Sequence, residues 1–343
     1  MTEPKTLRAK NPTDLLAAVP YLLGFHPDDS VVLVTLGTAG TPVHARQDLP
    51  ASADHIPAVV RDLVEVTRRA GVTRAAVVVY SSDEAVADAL AGALARSLRR
   101  GRVQVALALR ADGERWYCLG EDDGRCRRDC PAEGTPYDLA RHPITLEAVV
   151  DGRVVHGSRD ALRDSLVSDD PDEVERVAAA VDSAGRRLVA ACDSSTGLDR
   201  VSGRHHLVQE GRWVQHRVGR FLRDGRRLDS HDVGRLVVAV AAVEVRDVAW
   251  AQMSRADAER HVDLWRDVVR RSPRDTLAAP AALLAFAAWL SGDGALAWCA
   301  VDRSQEAEPG YGLAGLVTQA LAGAVPPTTW KPLGAGALSL FAG

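Results

Sequence analysis

A stretch near the amino terminus, Tyr21 to Ser30, reads YLLGFHPDDS and sets His26 close to Asp28 and Asp29. A histidine that titrates near neutrality can act as a base, with a carboxylate to orient it or to bind a metal. The same residues also suit a plain turn. Gly24 can end a helix, Pro27 prevents its continuation, and Asp28, Asp29 and Ser30 can satisfy turn amides through their side chains. His26 and Asp28 flank a proline and need not converge, so both readings stand at this level.

A second group is Cys118, Cys126 and Cys130, followed by His142. Three thiolates and a histidine could make a tetrahedral zinc site. Their spacing is not the usual CxxC knuckle. Arg125, Arg127 and Arg128 flank these cysteines, and cations lower thiol pKa values, so redox reactivity is a second option. Ordinary loop packing is a third. A third group is basic: Arg159 opens one helix, while Arg200, Arg204 and His205 cluster before another. Arginines at a helix start can bind an anion.

The elements that would position these residues change type along the chain. Asn11 to Asp14 can cap a short helix running to Leu23, with Gly24 as its stop. Val31–Leu36 and Ala75–Tyr80 are continuous apolar, β-branched runs, as expected for strands buried on both faces. Val43–Leu49 reads as a hairpin partner, and Val103–Leu109 as a third central strand. Helical spacing over residues 53–70 and 85–99 separates them. The turn Asp112-Gly113 predicts a final hairpin into Glu114–Leu119. Strands alternating with helices predict an α/β fold with a mixed or mostly parallel sheet over residues 1–120. An irregular cysteine-containing connection with a short helix follows at 121–157. A mainly α-helical region follows at 158–343. Asp170-Pro171-Asp172-Glu173 is a strong helix start. Single helices are expected over 205–223, 230–253 and 255–271, with residues 193–203 as a loop. Leu284, Ala285, Ala297 and Pro309 fall at the offsets of a tetratricopeptide-like hairpin near 281–322.

The 343 residues are 46% hydrophobic and carry a net charge of -4, so the global basic excess of a nucleic-acid binder is missing. No nucleic-acid partner is expected. The amino-terminal residues lack the apolar core of a signal peptide. The most apolar segment, residues 276–301, is cut by Pro280 and SGDG below the roughly 20 residues a membrane span needs. A cytoplasmic protein off the membrane is therefore expected, and five cysteines at irregular spacing fit a reducing compartment. GxxxxGK[ST], GxSxG, HExxH and a strand-following GxGxxG are all missing, which removes weight from P-loop enzymes, α/β-hydrolases, zincins and common dinucleotide binders.

Several stretches carry a family resemblance: DLLAAVPYLLGFHPDDSVVLV (14–34), RWYC with CPAEGTPYD (115–138), GSRDAL (157–162), and LLAFAAWLSGDGALAWCAVDRS continuing through PGYGLAGL to PPTTW (283–330). The chain resembles the actinobacterial "domain of unknown function 4192" proteins. In that family the loop often shows a double cysteine before proline; here Asp129 stands at the first of the pair and Cys126 is displaced. The resemblance implies a cytosolic bacterial protein and assigns no activity, cofactor or catalytic residue. Two functions follow from the residues. One is a protein-interaction or regulatory module, with Trp213, Trp265 and Trp330 as exposed anchors. The other is an enzyme or a small-ligand or anion-binding protein with a site between sheet and helical domain. Convergence of His26 with its polar neighbours in one pocket favours the second. An apolar patch on the helical half favours the first.

Overall fold

The computed structural model describes residues 9–36, 43–119, 130–150, 152, 154–193, 199–334, 338, 340 and 341, with the side chains of 191–193 and 199–202 outside that description. The chain divides into two units. The first is Met1–Arg159 with Gly323–Pro326, and the second is Asp160–Ala322 with Pro327–Gly343.

The first unit opens with α1 (Pro12–Leu23). Asn11 caps it by accepting the Asp14 N–H, and Gly24 stops it at φ 77. Six strands form one mixed sheet in the order β2-β1-β3-β4-β5-β6. They are β1 (Ser30–Leu36), β2 (Ala45–Asp48), β3 (Arg74–Tyr80), β4 (Gln104–Ala111), β5 (Arg115–Cys118) and β6 (Thr135–Pro136). Of the neighbouring pairs among these described strands, only β3–β4 is parallel. The reason lies in the connections. β2 folds back on β1 as a hairpin, and α2 (Ile56–Arg69) then carries the chain across β1 to its other edge. β3 therefore runs with β2 and against β1. α3 (Glu84–Arg100), capped by Asp83, makes the second crossover and delivers β4 beside β3 in parallel. The core between helices and sheet holds Val31, Leu33, Val77 and Val79 from the strands, Val59 and Leu63 from α2, and Leu90 and Leu94 from α3. The alternate residues Val32, Val78 and Leu109 are also fully buried, as the continuous apolar runs required. The short helix α4 (Pro143–Val150) completes the unit.

The second unit is helical: α5 (Arg159–Asp164), α6 (Pro171–Asp193), α7 (Asp199–Asp224), α8 (Ser230–Ala241), α9 (Val243–Trp250), α10 (Ala258–Arg271), α11 (Ala278–Ser291), α12 (Gly294–Ala307) and α13 (Gly312–Ala322). Two boundaries differ from the sequence expectation. The stretch expected to be a loop up to residue 203 is helical from Asp199, although Ser202 and Gly203 are weak helix formers. The single helix expected over 230–253 is two, because the backbone turns extended at Ala242 (ψ 123). α8 packs on α6 while α9 packs on α7, and one straight helix could not follow both partners. Gly234 permits the first of these contacts: a Cβ there would sit 2.5 Å from that of Ala180. α11 is buried from Ala278 to Leu290, and Ser304 on α12 donates to the Ala278 carbonyl at 2.7 Å. Among the described residues no helix is long and apolar enough to cross a membrane. Trp265, expected as an exposed anchor, is fully buried on α10; its amphipathic stripe outweighs any surface role. Trp213 is half-buried beneath the Arg235 guanidinium, and half-buried Trp330 packs against Trp250 and Phe286.

Candidate functional site

Because β1 runs against β3, its first residue lies beside the last residues of β3 and β4. Ser30 pairs with Tyr80, and Tyr80 with Ala111. The loops at this edge enclose a cleft of about 670 Å³. His26, Pro27, Asp28 and Asp29 enter it from the turn before β1. Tyr80, Ser81 and Ser82 enter from the end of β3, Asp112 and Gly113 from the end of β4, and Tyr137 and Asp138 from the chain after β6. Leu16 and Pro20 of α1 supply an apolar wall. The carboxyl edge of parallel strands is where open α/β sheets place ligands.

The turn carrying His26 is held by its backbone. The His26 N–H donates to the His156 carbonyl at 2.9 Å, and the His156 N–H donates to the Gly24 carbonyl at 2.9 Å. The His26 ring remains exposed and has no partner among the described residues. Asp28 caps the next amide, accepting the Asp29 N–H at 3.0 Å, while Arg46 donates to the Asp28 carbonyl at 3.2 Å. Asp29 takes φ 37, a left-handed backbone that non-glycine residues rarely adopt and that clusters at functional sites. Its carbonyl accepts the Leu49 N–H at 3.0 Å, which fixes the strained turn to the end of β2.

The other walls have different jobs. Ser81 accepts the Asp83 N–H, so it helps start α3. Asp112 accepts the N–H groups of Glu114 at 3.0 Å and Arg115 at 2.7 Å, which builds the hairpin turn. Burial raises the Asp112 pKa, but those amides, with Tyr117 and Arg110, outweigh it and hold the carboxyl below its ordinary value. Burial and neighbouring Asp112 push the Tyr137 hydroxyl up, against a hydrogen bond from the Gly113 amide. Tyr80 keeps part of its ring exposed, yet its hydroxyl oxygen is buried with no hydrogen-bond partner. Burial, then Tyr137, raises the Tyr80 pKa, so the phenol is neutral at physiological pH. An unpaired buried hydroxyl costs free energy unless a ligand or water completes it.

The remaining sequence candidates fall elsewhere. Arg159 is exposed at the start of α5. Arg204 and His205 are exposed on α7, and the His205 ring accepts from the Gln209 amide at 2.8 Å. The side chain of Arg200 lies outside the described residues, as does Cys126. Cys118 and Cys130 come together, their Sγ atoms 2.8 Å apart. Both His142 nitrogens are otherwise engaged: Nδ1 accepts from the Ile144 N–H, and Nε2 lies 3.2 Å from Asp14. Asp229, His231 and Asp232 bring three possible metal donors within 4.8 Å of one another. Each already has work to do. Asp229 caps α8, His231 meets Arg187 at 3.0 Å, and Asp232 pairs with Arg217.

Domain of unknown function (DUF4192) is the family whose pattern matches the chain, over residues 12–328. The chain belongs to this family. No curated protein and no solved structure matches it.

In this DUF4192 chain the sequence pointed to His26, Asp28 and Asp29 but missed Tyr80, Ser82, Asp112, Tyr137 and Asp138. A signal for some of them was available. Tyr80 ends the AAVVVY strand, and Asp112 opens the turn after the next parallel strand. The rule that ligands sit at the carboxyl edge of such strands singles out those positions once the parallel pair is known. No catalytic or ligand-binding motif marks Tyr137 or Asp138, which reach the cleft through the pairing of β6 with β5.

Proposed function

We propose that the first unit binds a small organic cation, an amine or guanidinium, in the cleft at the ends of β3 and β4. The supporting observation is the composition of one pocket. Asp28, Asp29, Asp112 and Asp138 line it with two tyrosines, and none of its described lining residues is lysine or arginine. Carboxylates satisfy a cation's N–H groups through charge-assisted hydrogen bonds, and aromatic faces add attraction. His26, at the mouth with its ring free, is the group placed to move a proton if the bound molecule reacts. The test uses agmatine and spermidine as probes in calorimetric titrations at low salt, with inorganic phosphate as the control. Expected results are saturable binding of a cation, none of phosphate, and a Kd raised about 10-fold or more by Asp28→Asn, since a lost charge-assisted bond costs roughly 1.5–3 kcal/mol. Failure of both cations to bind, or an unchanged Kd in Asp28→Asn, sinks the reading.

A second reading is a protein-interaction module. Its supporting observation is the row of exposed apolar residues on and after α4: Leu146 at 53%, Val149 at 63%, Val150 at 85% and Val154 at 72%. Exposed apolar patches mark contact surfaces. Among the described residues of the helical unit, the exposed large apolar residues Val167, Val189, Val243, Leu316 and Leu333 are scattered along the chain and form no comparable row. A pull-down with Leu146→Glu/Val150→Glu as bait is expected to lose a partner that the unaltered chain captures. Capture of the same protein by both baits dismisses the reading.

A further inference from the structure

We propose that Cys118 and Cys130 form a reversible disulfide that links the end of β5 to the segment that returns to pair with it as β6. This goes beyond the ligand reading and does not depend on it. The two Sγ atoms lie 2.8 Å apart. A disulfide needs about 2.05 Å, so bond formation requires only a small adjustment of side chains. Both residues are partly exposed, which admits a small oxidant; Cys299, by contrast, is buried.

The approach of the thiols is enforced by structure that does not involve sulfur. Cys118 ends β5, and the chain after Cys130 returns to pair with the same strand, Thr135 opposite Trp116 and Pro136 opposite Arg115. Arg115 Nη1 donates to the carbonyls of Glu133 at 3.1 Å and Gly134 at 2.9 Å. The Gly134 N–H closes a turn on the Pro131 carbonyl at 3.0 Å. Gly134 has φ 74 and lies against the Tyr117 ring, where a Cβ would come within 2.5 Å. The return segment is thus fastened to β5 one residue from Cys118 and four from Cys130. Pre-organisation of this kind removes most of the entropic cost of bringing the two sulfurs together.

The chemistry is thiol–disulfide exchange with a low-molecular-weight disulfide such as oxidised glutathione. One cysteine thiolate attacks the small disulfide, forming a mixed disulfide and releasing one small thiol. The second cysteine thiolate then attacks the protein sulfur of that mixed bond. The Sγ–Sγ bond forms and the second small thiol leaves. The two cysteines give up two protons and two electrons, and the oxidant's S–S bond accepts them as two thiols.

The experiment uses the full chain, reduced, freed of reductant, and equilibrated with oxidised glutathione. Free thiols are counted in denaturant, and a non-reducing tryptic map follows; Arg125, Arg127 and Arg128 provide cleavage between the two cysteines. The expected result is the loss of two of the five thiols and one linked peptide pair holding Cys118 and Cys130, both reversed by dithiothreitol. Cys126→Ser keeps that linkage. A linkage through Cys126, a glutathione adduct that never closes, or shielding of the thiols by stoichiometric zinc each overturns the proposal. The unaltered chain carries the decisive map, so a poorly folded variant does not obscure the outcome.

Discussion

Arg271→Ala lowers the stability of the helical unit by about 3 kcal/mol in urea denaturation followed by circular dichroism. Arg271 is 3% exposed and sits at the centre of a buried network. Its guanidinium donates to Glu173 Oε1 at 2.7 Å, to the Leu228 carbonyl at 2.8 Å and to Asp267 Oδ2 at 2.7 Å. Glu173 also accepts from Ser230 at 3.0 Å and Arg176 at 2.8 Å. The network ties α6, α10 and the start of α8 together. Removing the arginine leaves a buried carboxylate short of its main partner and a backbone carbonyl without a donor. Breaking a buried pair by deleting one member costs about 3–5 kcal/mol, and the lower end applies because Glu173 keeps 11% of its side chain in water. A loss below about 1 kcal/mol would show that water replaces the guanidinium at little cost.

The same network sets a pH dependence. Burial raises the Glu173 pKa, but hydrogen bonds from Arg271, Ser230 and Arg176 outweigh it and hold the carboxyl below the ordinary value of 4.5. A carboxyl depressed in the folded state contributes stability that is fully present above its unfolded pKa and is lost as pH falls through the folded value. The unaltered protein therefore loses stability on the acid side of 4.5, and Arg271→Ala flattens that slope. An equally steep acid limb in the variant would move the effect to other carboxyls.

Trp265→Ala is expected to cost about 3–5 kcal/mol in the same assay, the range for truncating a fully buried aromatic residue. Trp265 is the largest described side chain with essentially no exposure, and it lies on α10, a helix that packs against α11. Its indole Nε1 is buried without an acceptor. Trp265→Phe removes that unpaired N–H while keeping most of the ring, so it should cost about 1.5 kcal/mol or less. The contrast between the two variants is the test. Equal losses would mean that ring volume does not decide the effect, and a harmless Trp265→Ala would place the residue outside the core.

How far the fold was legible depends on where each signal lives. The residues 31–36 and 75–80 announced buried strands because both faces of each are covered, which leaves no polar alternation. Gly24 and Asp170-Pro171 announced helix ends, since capping is a contact between near neighbours in the chain. The break at Ala242 carried no such mark, because partners distant in sequence impose it. Trp265 likewise looked like a surface anchor until the packing of α10 was known.

The cleft divides in the same way. Sequence alone determined an α/β region followed by helices, the turn at His26 to Asp29, and the family to which the chain belongs. It did so because propensity, capping and apolar periodicity act within a few residues. Tertiary structure alone decided that the neighbours β3 and β4 pair in parallel, that Tyr80, Asp112, Tyr137 and Asp138 meet His26 in one pocket, and that Cys118 faces Cys130 while His142 turns to Asp14. Those outcomes depend on strand order and register, which long-range hydrogen bonds and burial set and which no short stretch of sequence contains.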